Sequence, residues 1–380
     1  MDYKNILKTT KINSSPIHEY SELDILSGKN LSEQDNIKMI LDRIIQSNGI
    51  SATCKEIIEN RSSIVYEYEI TNFTTKFNKI KNLESIIKMH LHTDSVIIDF
   101  SKIINGFSIS ITKEDKTIVT LGDVYNSSIS DLQCPIGMDI YNNPLIVDIA
   151  KLPHLMICGS TGSGKSVCMN SIISSLIINN PSCGLKFIMI DPKQVELSPY
   201  ESLTNYLPYG IISDINFAST ILYNICQVMD NRYRTISAMN CKNIDEYNIK
   251  NPTNKFFRII IFIDELADLM IRNKKEVEPY LCRLAQMGRA CGIHLVIATQ
   301  RPSREVVTGI LKVNIPAKIC FKVPSTVNSR VVLDQKGAEQ LSGNGDGLFL
   351  NGKSTEPTRF QGSYISSEEI YKLVNQAKFN

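Results

Sequence analysis

The chain has 380 residues, of which 43% are hydrophobic and 21% are charged, and its formal net charge at pH 7 is +2. This length exceeds what one hydrophobic core usually serves, so we expect a globular protein of two or three domains. The balanced charge identifies no partner, because a groove can be locally basic on a nearly neutral chain. Apolar residues nowhere run for the ~20 positions that a membrane-spanning helix needs, so we expect no membrane anchor in this sequence.

The ten cysteines stand singly, without a C-x-x-C pair and without a secretory signal. This pattern favours reduced thiols and a cytoplasmic location over a disulfide framework. His90 and His92 form an H-L-H pair, but zinc would need further ligands at suitable spacing, and we find none. We therefore interpret the two histidines as residues of a strand or of a helix end.

Residues 1–30 are polar and lack clear periodicity, which predicts a partly ordered N-terminal arm of no assigned function. Residues 31–130 are predicted to form a small α+β domain. Within it, SSIVYEYEIT and GFSISIT alternate like half-buried strands, and FNKIKNLESIIKMHL between them has helical spacing. Asp35 is placed to cap a helix, because apolar residues follow it at intervals of three and four positions: Ile37, Ile40, Leu41, Ile44 and Ile45.

From Leu145 onward, continuous apolar runs alternate with helical stretches. Such runs are typical of strands buried on both faces, as in a parallel sheet covered by helices. Residues 131–380 are therefore predicted to form an α/β domain around a parallel-rich central sheet, beginning in the turn-rich stretch DLQCPIGMDIYNNP. The runs are PHLMICG, LKFIMID, RIIIFID, HLVIAT and KICFKV. Four of them end where open α/β sheets bind ligands, at Gly159, Asp191, Asp264 and Thr299.

The first of these strand ends opens a glycine-rich loop, MICGSTGSGKSVCMN, which satisfies the phosphate-binding pattern G-x-x-x-x-G-K-[S/T]. Gly162 and Gly164 let the backbone curl so that successive N–H groups face phosphate oxygens, and the following helix adds its positive dipole end. Lys165 supplies a charge for the β- and γ-phosphates, and Ser166 supplies a hydroxyl oxygen for Mg²⁺. A plain strand–turn–helix is the alternative. The pattern predicts that ATP binds to Gly159, Ser160, Thr161, Gly162, Ser163, Gly164, Lys165, Ser166 and Val167.

A second strand end, in IIIFIDELADLM, carries two adjacent acids. Asp264 is placed to bind the metal, and Glu265 is placed to orient and deprotonate an attacking water. Because switch proteins that hydrolyse slowly do not need the second acid, the pair favours an ATPase that turns over. The alternative is that the two carboxylates only cap the next helix.

A third strand, HLVIATQRPS, presents Thr299, Gln300 and Arg301 at its tip. The amide of Gln300 is placed to sense the γ-phosphate, although a simple turn is an equal alternative. Just before this strand, Arg289 lies near the end of a helical stretch. From spacing alone we favour a role in complementing the helix dipole, and the functional alternative is an arginine finger that reaches the nucleotide of a neighbouring subunit.

Six stretches resemble, in order and spacing, the motor of the FtsK/SpoIIIE double-stranded DNA translocases, most strongly over residues 131–365. The resemblance implies a RecA-like ATPase that assembles as a ring, usually a hexamer, around duplex DNA and moves it by hydrolysing ATP. Residues 31–130 look like the smaller motor subdomain of that family. The six stretches are GMDIYNNPLIVDIAKLPHLMICGSTGSGKSVCMNSIISSL, IMIDPKQVELSPYESL, IFIDELADLM, RLAQMGRACGIHLVIATQRPS, TGILKVNIPAKICFKV and SRVVLDQKGAEQLSGNGD.

The resemblance also implies roles for individual residues. It assigns the phosphate and Mg²⁺ contacts to Lys165, Ser166 and Asp264. Glu265 becomes the catalytic base and Gln300 the sensor. Arg289 becomes the preferred finger in trans, with Arg301 as the runner-up. The pore-facing cations would be Arg301, Lys312 and Arg330, which suit sequence-independent phosphate contacts.

Three departures from the family pattern shape these expectations. Thr326 stands where relatives often have a lysine, which suggests a weaker grip on DNA. The sequence also lacks N-terminal membrane helices, and it has no room after Asn380 for the winged helix that reads DNA orientation. We therefore expect neither a septum-anchored role nor a strong sequence preference.

Two further functions stay open at this point. One is a conjugative coupling ATPase that acts on single-stranded DNA, where aromatic side chains usually stack on bases. Phe321 is the only aromatic residue between Arg301 and Arg330, and it stands inside a strand-like run, which favours duplex DNA. The other is a nucleotide-dependent interaction module that forms rings but hydrolyses little ATP, against which Glu265 argues.

Overall fold

A computed structural model describes residues 32–378, apart from residues 62, 73–75, 94, 101–102, 114–116, 127–128 and 181–183. The predicted N-terminal arm, residues 1–30, lies outside the described residues. The described residues divide into two units. The smaller unit ends at Ile118 and also includes Ile140–Asn143, and the larger unit comprises Val119–Asp139 and the chain from Pro144 onward.

The smaller unit packs helices against a four-stranded antiparallel sheet with strand order β1-β2-β4-β3. Its core includes the large buried side chains of Tyr66, Tyr68 and Phe107. Numbered in chain order, its helices are α1 (Glu33–Ser47), α2 (Phe77–Lys81) and α3 (Leu83–His90), and its strands are β1 (Ala52–Glu59), β2 (Ser63–Ile70), β3 (Val96–Asp99) and β4 (Gly106–Thr112).

Three details of this unit differ from the sequence-based predictions. The cap of α1 is Ser32, whose Oγ accepts a hydrogen bond from the N–H of Asp35 at 3.2 Å. Asp35 lies in the first turn instead, where an acid is favoured by the helix dipole. The single helix expected over FNKIKNLESIIKMHL is two helices that meet at Asn82. Strand β1 was not predicted, because this half-exposed edge strand lacks apolar alternation.

The larger unit is built on a ten-stranded mixed sheet with strand order β6-β5-β14-β13-β12-β7-β11-β10-β8-β9. The six strands from β12 to β9 run parallel, which confirms the predicted parallel-rich sheet, and the other four join antiparallel. The strands are β5 (Gln133–Asp139), β6 (Pro144–Asp148), β7 (His154–Cys158), β8 (Leu185–Ile190), β9 (Ile211–Ile212), β10 (Arg258–Ile263), β11 (Ile293–Thr299), β12 (Ala317–Phe321), β13 (Asp346–Asn351) and β14 (Thr358–Gly362).

Helices connect these strands and bury their apolar sides against the sheet. The five apolar runs found in the sequence are the buried strands β7, β8, β10, β11 and β12. The helices are α4 (Leu121–Val124), α5 (Lys165–Asn179), α6 (Ile215–Ala238), α7 (Ile244–Lys250), α8 (Leu266–Met287), α9 (Gly309–Asn314), α10 (Thr326–Leu333) and α11 (Ser367–Ala377). One-turn 3₁₀ helices cover Ser198–Tyr200, Gly288–Cys291 and Ala338–Gln340.

The larger unit begins about a dozen residues before the domain boundary expected near residue 131. Leu121 and Val124 of α4 are buried in its core, and Thr120 forms a parallel bridge with Tyr364. The turn-rich stretch after residue 130, which suggested the boundary, instead forms the antiparallel pair β5 and β6. A turn-rich composition therefore marked a hairpin inside the sheet rather than its start.

Disulfide bonds and membrane-spanning helices are both absent from the described residues. Every cysteine among them is a free thiol, as the scattered spacing predicts. Among their helices, none combines the length and the apolar character that crossing a membrane requires.

Candidate active site

The loop between β7 and α5 presents a row of backbone donors at the amino end of a 15-residue helix. Gly162 and Gly164 have positive φ angles of 75° and 112°, a backbone region that favours glycine. In the part of the chain that the structure describes, the N–H groups of Gly162, Gly164 and Lys165 have no hydrogen-bond acceptor. These donors and the helix dipole form a cradle for an anion such as a phosphate.

Neighbouring segments hold this loop in place. The N–H and the hydroxyl of Ser160 both donate to the carbonyl of Lys322, at 2.9 and 3.0 Å. On the other side, the N–H of Gly345 donates to the carbonyl of Ser163 at 2.8 Å. A Cβ atom at Gly164 would lie 2.7 Å from the Cα atom of Gly345, so only glycine fits there. The loop is therefore preorganised before any ligand arrives.

The second feature is a buried ion pair between the loop and the tip of β10. The Nζ atom of Lys165 lies 2.8 Å from Oδ1 of Asp264 and 3.3 Å from its carbonyl oxygen. The two residues are only 3% and 2% exposed. Parallel strands bring their carboxyl ends to one edge of a sheet, which is why two residues far apart in sequence meet here. Lys165 and Asp264, which the sequence assigned to one nucleotide site, are thus in contact.

Glu265, next along the chain, is also buried but has different partners. Its Oε1 accepts hydrogen bonds from the hydroxyl of Thr299 at 2.6 Å and from the N–H of Gln300 at 3.2 Å. The ammonium of Lys193 lies 3.8 Å from Oε2. Glu265 occupies the N-cap position of α8, yet its side chain makes no capping hydrogen bond. Its carboxylate is therefore aimed across the strand ends rather than at the first turn of the helix.

The amide of Gln300 joins β11 to the phosphate-binding loop. Its Oε1 accepts a hydrogen bond from the hydroxyl of Thr161 at 3.0 Å. Because its N–H also contacts Glu265, Gln300 touches both the predicted base and the loop. Arg301, the next residue, is exposed.

The segment after β8 brings further charged residues to the site, of which sequence reasoning named only Asp191, as a strand end. Asp191 is fully buried, and its carboxylate accepts five hydrogen bonds from backbone N–H groups in the segment 193–197. That segment places the ammonium of Lys193 between Glu265 and Asp268. It also places Glu196 against Ser166, whose hydroxyl donates to Oε1 of Glu196 at 2.7 Å. The sequence signal that could have identified these residues is an acid at a buried strand end, followed by a turn with further charges.

The oxygen atoms at this edge fit a small divalent cation. Hydroxyl and carboxylate oxygens are the ligands that Mg²⁺ takes, usually one or two from the protein beside water and phosphate. Ser166, Asp264 and Glu196 offer such oxygens. Among the described residues, no cluster of three or more His, Cys, Asp or Glu side chains forms a ready metal cage.

Three other candidates lie away from this edge. Arg289 is exposed in the one-turn helix Gly288–Cys291, before the start of β11. Thr299 is the last of the seven residues of β11, at the far end of a strand about 20 Å long. Lys312 on α9 donates to the carbonyl of Arg330 on α10 at 3.3 Å and to Oδ1 of Asp334 at 2.6 Å. Lys312 is thus engaged within the chain, whereas the side chain of Arg330 is exposed.

Comparisons with known proteins show which family this chain is similar to. Residues 121–304 match the model of the FtsK/SpoIIIE family. The chain is 40% identical over 348 residues to DNA translocase FtsK of Caldanaerobacter subterraneus subsp. tengcongensis, covering 90% of this chain and 48% of that protein. It is 38% identical over 387 residues to DNA translocase FtsK of Clostridium acetobutylicum, covering 97% of this chain and 50% of that protein. The chain therefore spans about half the length of these curated relatives.

A solved structure supports the fold. The pCW3 conjugation coupling protein TcpA, in its monomer form with ATPγS, aligns with a TM-score of 0.61 over 90% of this chain and 99% of that chain. The sequence identity is 24%, so this likeness concerns the fold alone. With the phosphate-binding loop, the acidic strand end and the matched relatives together, this chain belongs, through its P-loop unit, to the FtsK/SpoIIIE family.

Proposed function

We propose that this chain is an ATP-driven motor that moves duplex DNA as a ring of identical subunits and hydrolyses ATP to ADP and phosphate. The observation that carries the proposal is the arrangement of Lys165, Asp264 and Glu265 at one sheet edge. The lysine and the first acid are paired at 2.8 Å, and the second acid is held separately by Thr299 and Gln300. A P-loop with a positioned second carboxylate is the arrangement that hydrolysis needs.

The residues of the site then take distinct tasks. The free N–H groups of the loop bind phosphate oxygens, and Lys165 shifts part of its contact from Asp264 to the β- and γ-phosphates. Ser166 and Asp264 would hold Mg²⁺, which would supply positive charge to neutralise the phosphates. Glu265 orients a water molecule and accepts its proton. Gln300, which touches the loop through Thr161, registers the loss of the γ-phosphate.

In this proposal, basic residues near Gln300 and after it in the chain transmit its response to DNA. Arg301 comes next in the chain, and the exposed Arg330 lies on α10 beside Lys312 of α9. Cations of this kind make sequence-independent phosphate contacts. Phe321 is fully buried, so no aromatic side chain between Arg301 and Arg330 is available for stacking on bases. This burial supports duplex DNA over a single strand as the substrate.

The test combines ATP hydrolysis with a displacement assay, in which a third strand is removed from a triplex by a moving motor. We expect duplex DNA to raise the hydrolysis rate severalfold and ATP to drive displacement. Lys165→Ala should abolish both. Lys151→Ala, which removes an exposed lysine from the turn before β7, should leave both unchanged.

Other outcomes separate the alternatives. Stronger stimulation by single-stranded than by duplex DNA would favour a coupling ATPase, the role named for the structural neighbour TcpA. Hydrolysis that ignores every DNA would contradict the motor proposal. Electron microscopy of the DNA-bound particle counts the subunits, and a persistent monomer on DNA would exclude the ring.

A further inference from the structure

We infer that Glu196 is a positioning residue for the metal half of the nucleotide site: it fixes the hydroxyl of Ser166 so that an oxygen lone pair faces the cation. This inference rests on the proposed function, because it takes Mg²⁺ with ATP as the ligand. Neither the sequence motif nor the comparisons assign a role to Glu196. It lies 30 residues from Ser166 in sequence, in the segment that follows β8.

The segment that carries Glu196 is anchored by a buried carboxylate. The Oδ2 atom of Asp191 accepts hydrogen bonds from the N–H groups of Val195, Glu196 and Leu197 at 2.9, 3.1 and 3.1 Å. Asp191 is fully buried, and so is Leu197. The backbone on both sides of Glu196 is therefore fixed to the sheet, and the position of its side chain is set before any ligand binds.

The same segment is tied to one face of α5. Four residues after Glu196, the hydroxyl of Tyr200 donates to Oδ1 of Asn170 at 3.0 Å. Asn170 lies one helical turn after Ser166, so both contacts are on the same face of the helix. Tyr200 is fully buried. Two separate hydrogen bonds thus align the segment along the helix that carries the phosphate-binding residues.

The contact decides the direction of the Ser166 hydroxyl. A serine hydroxyl has one hydrogen to donate and two lone pairs to offer. Its hydrogen points to Oε1 of Glu196 at 2.7 Å, which leaves the lone pairs for a cation. Asp264, the acid proposed to bind the metal, pairs through Oδ1 with Lys165. Outer partners that orient a ligand in this way typically change metal affinity 10- to 100-fold when removed.

The test measures metal dependence of binding rather than turnover. The full chain is titrated with an ATP analogue that carries a fluorescent N-methylanthraniloyl group, once with MgCl₂ and once with EDTA. We expect Glu196→Gln to weaken binding about 10-fold in Mg²⁺ and to leave binding in EDTA unchanged. The matched control is Glu201→Gln, which alters an exposed acid five residues later and should bind like the native chain in both conditions.

A double-mutant cycle shows whether Glu196 acts through Ser166. In a Ser166→Ala background, Glu196→Gln should have no further effect, because the hydroxyl that it orients is gone. Additive losses would overturn the inference. So would unchanged or tighter Mg²⁺-dependent binding in Glu196→Gln, since a carboxylate that blocks the metal would give that sign.

The remaining outcomes separate this inference from the proposed function. An equal loss in Mg²⁺ and in EDTA would mean that Glu196 supports the phosphate loop and not the metal, and would also overturn the inference. If the native chain binds the analogue and Lys165→Ala does not, the nucleotide site stands whatever Glu196 does. If neither chain binds it, the proposed function fails.

Discussion

The two edges of the parallel sheet handle buried ionisable groups in opposite ways. At the carboxyl edge, Lys165, Asp264 and Glu265 are each at most 3% exposed, and every one has a charged or hydrogen-bonding partner. At the amino edge, His154 and His294 are fully buried, and burial lowers their pKa values to about 3 and about 4. The histidines are therefore neutral at pH 7, whereas the carboxyl edge holds paired charges.

The difference lies in the partners that each edge offers. The Nδ1 atom of His154 accepts a hydrogen bond from the N–H of Leu295 at 3.0 Å, and Nδ1 of His294 lies 3.1 Å from the carbonyl oxygen of Pro153. Within the described residues, neither Nε2 atom has a partner. A second proton on either ring would therefore be a buried charge without a counterion. Burial alone does not decide charge, and only the carboxyl edge is built for ionic chemistry.

The prediction with the largest expected effect concerns Arg289. It tests whether the amino edge of one subunit contributes to ATP hydrolysis in a neighbouring subunit. Arg289 precedes the amino end of β11, a strand about 20 Å long whose carboxyl end carries Thr299, so a part in hydrolysis would require the nucleotide of another subunit. We expect Arg289→Ala to lower hydrolysis about a thousandfold without weakening ATP binding. Mixing this variant with Glu265→Gln should restore part of the activity, because some sites then combine an intact Glu265 with an intact Arg289.

The runner-up finger gives the control for this experiment. Arg301 lies at the carboxyl edge, directly after Gln300. If mixing Arg289→Ala with Glu265→Gln restores nothing, while Arg301→Ala with Glu265→Gln does restore activity, the finger is Arg301. In that case the amino edge has no catalytic part.

The next largest effect concerns the acid that is held away from Lys165. Glu265→Gln keeps the shape of the side chain but removes the proton acceptor, so we expect single-turnover hydrolysis to fall by about a hundredfold or more. Binding of ATP with Mg²⁺ should persist. The control is Glu278→Gln. Glu278 lies further along α8 and forms an ion pair with Lys274 of the same helix. Turnover of Glu265→Gln at the native rate would support the interaction-module alternative instead.

A third prediction concerns pH and the amino edge. A histidine whose pKa is lowered on folding stabilises the fold fully above its ordinary pKa of about 6.5, and this stabilisation is lost as the pH falls below that value. At pH 5, each of His154 and His294 should lower the free energy of unfolding by about 2 kcal/mol relative to pH 7. Urea unfolding at the two pH values should therefore show a smaller loss in His294→Gln than in the native chain.

The control for the pH prediction is a histidine outside the buried pair. His90 is exposed at the end of α3, and His90→Gln should keep the native pH dependence. Equal losses in His294→Gln and in the native chain would show that carboxylates alone cause the acid sensitivity.

The smallest effect concerns the basic face formed by Lys312 of α9 and Arg330 of α10. Arg330→Ala should weaken duplex binding about two- to threefold near 0.1 M salt, and should reduce the salt dependence by about one counterion. The exposed Arg234 on α6 provides the control variant Arg234→Ala. An unchanged salt slope in Arg330→Ala would remove this residue from the DNA-contact surface. Thr326, on the same helix, is half-buried and its hydroxyl donates to Glu339 at 3.2 Å, so it adds no charge to this face.

Much of this molecule could be predicted from its sequence, because the signals were local. Apolar runs identified the strands β7, β8, β10, β11 and β12, and glycines that need positive φ angles identified the phosphate-binding loop. The rule that parallel strands end at one sheet edge placed Asp264 beside Lys165. The cap at Ser32 and the unpredicted edge strand β1 were missed, since one-residue shifts and half-exposed strands leave weak patterns.

Other features were decided only by tertiary structure, because they depend on contacts between residues that are far apart in sequence. No spacing rule indicates that Glu196 accepts a hydrogen bond from the hydroxyl of Ser166, or that the N–H of Gly345 donates to the carbonyl of Ser163. Nor does one indicate that Asp334 accepts a hydrogen bond from Lys312. The sequence determined which residue types stand at the strand ends. The folded sheet determined their partners, since hydrogen bonds and ion pairs form according to distance in space.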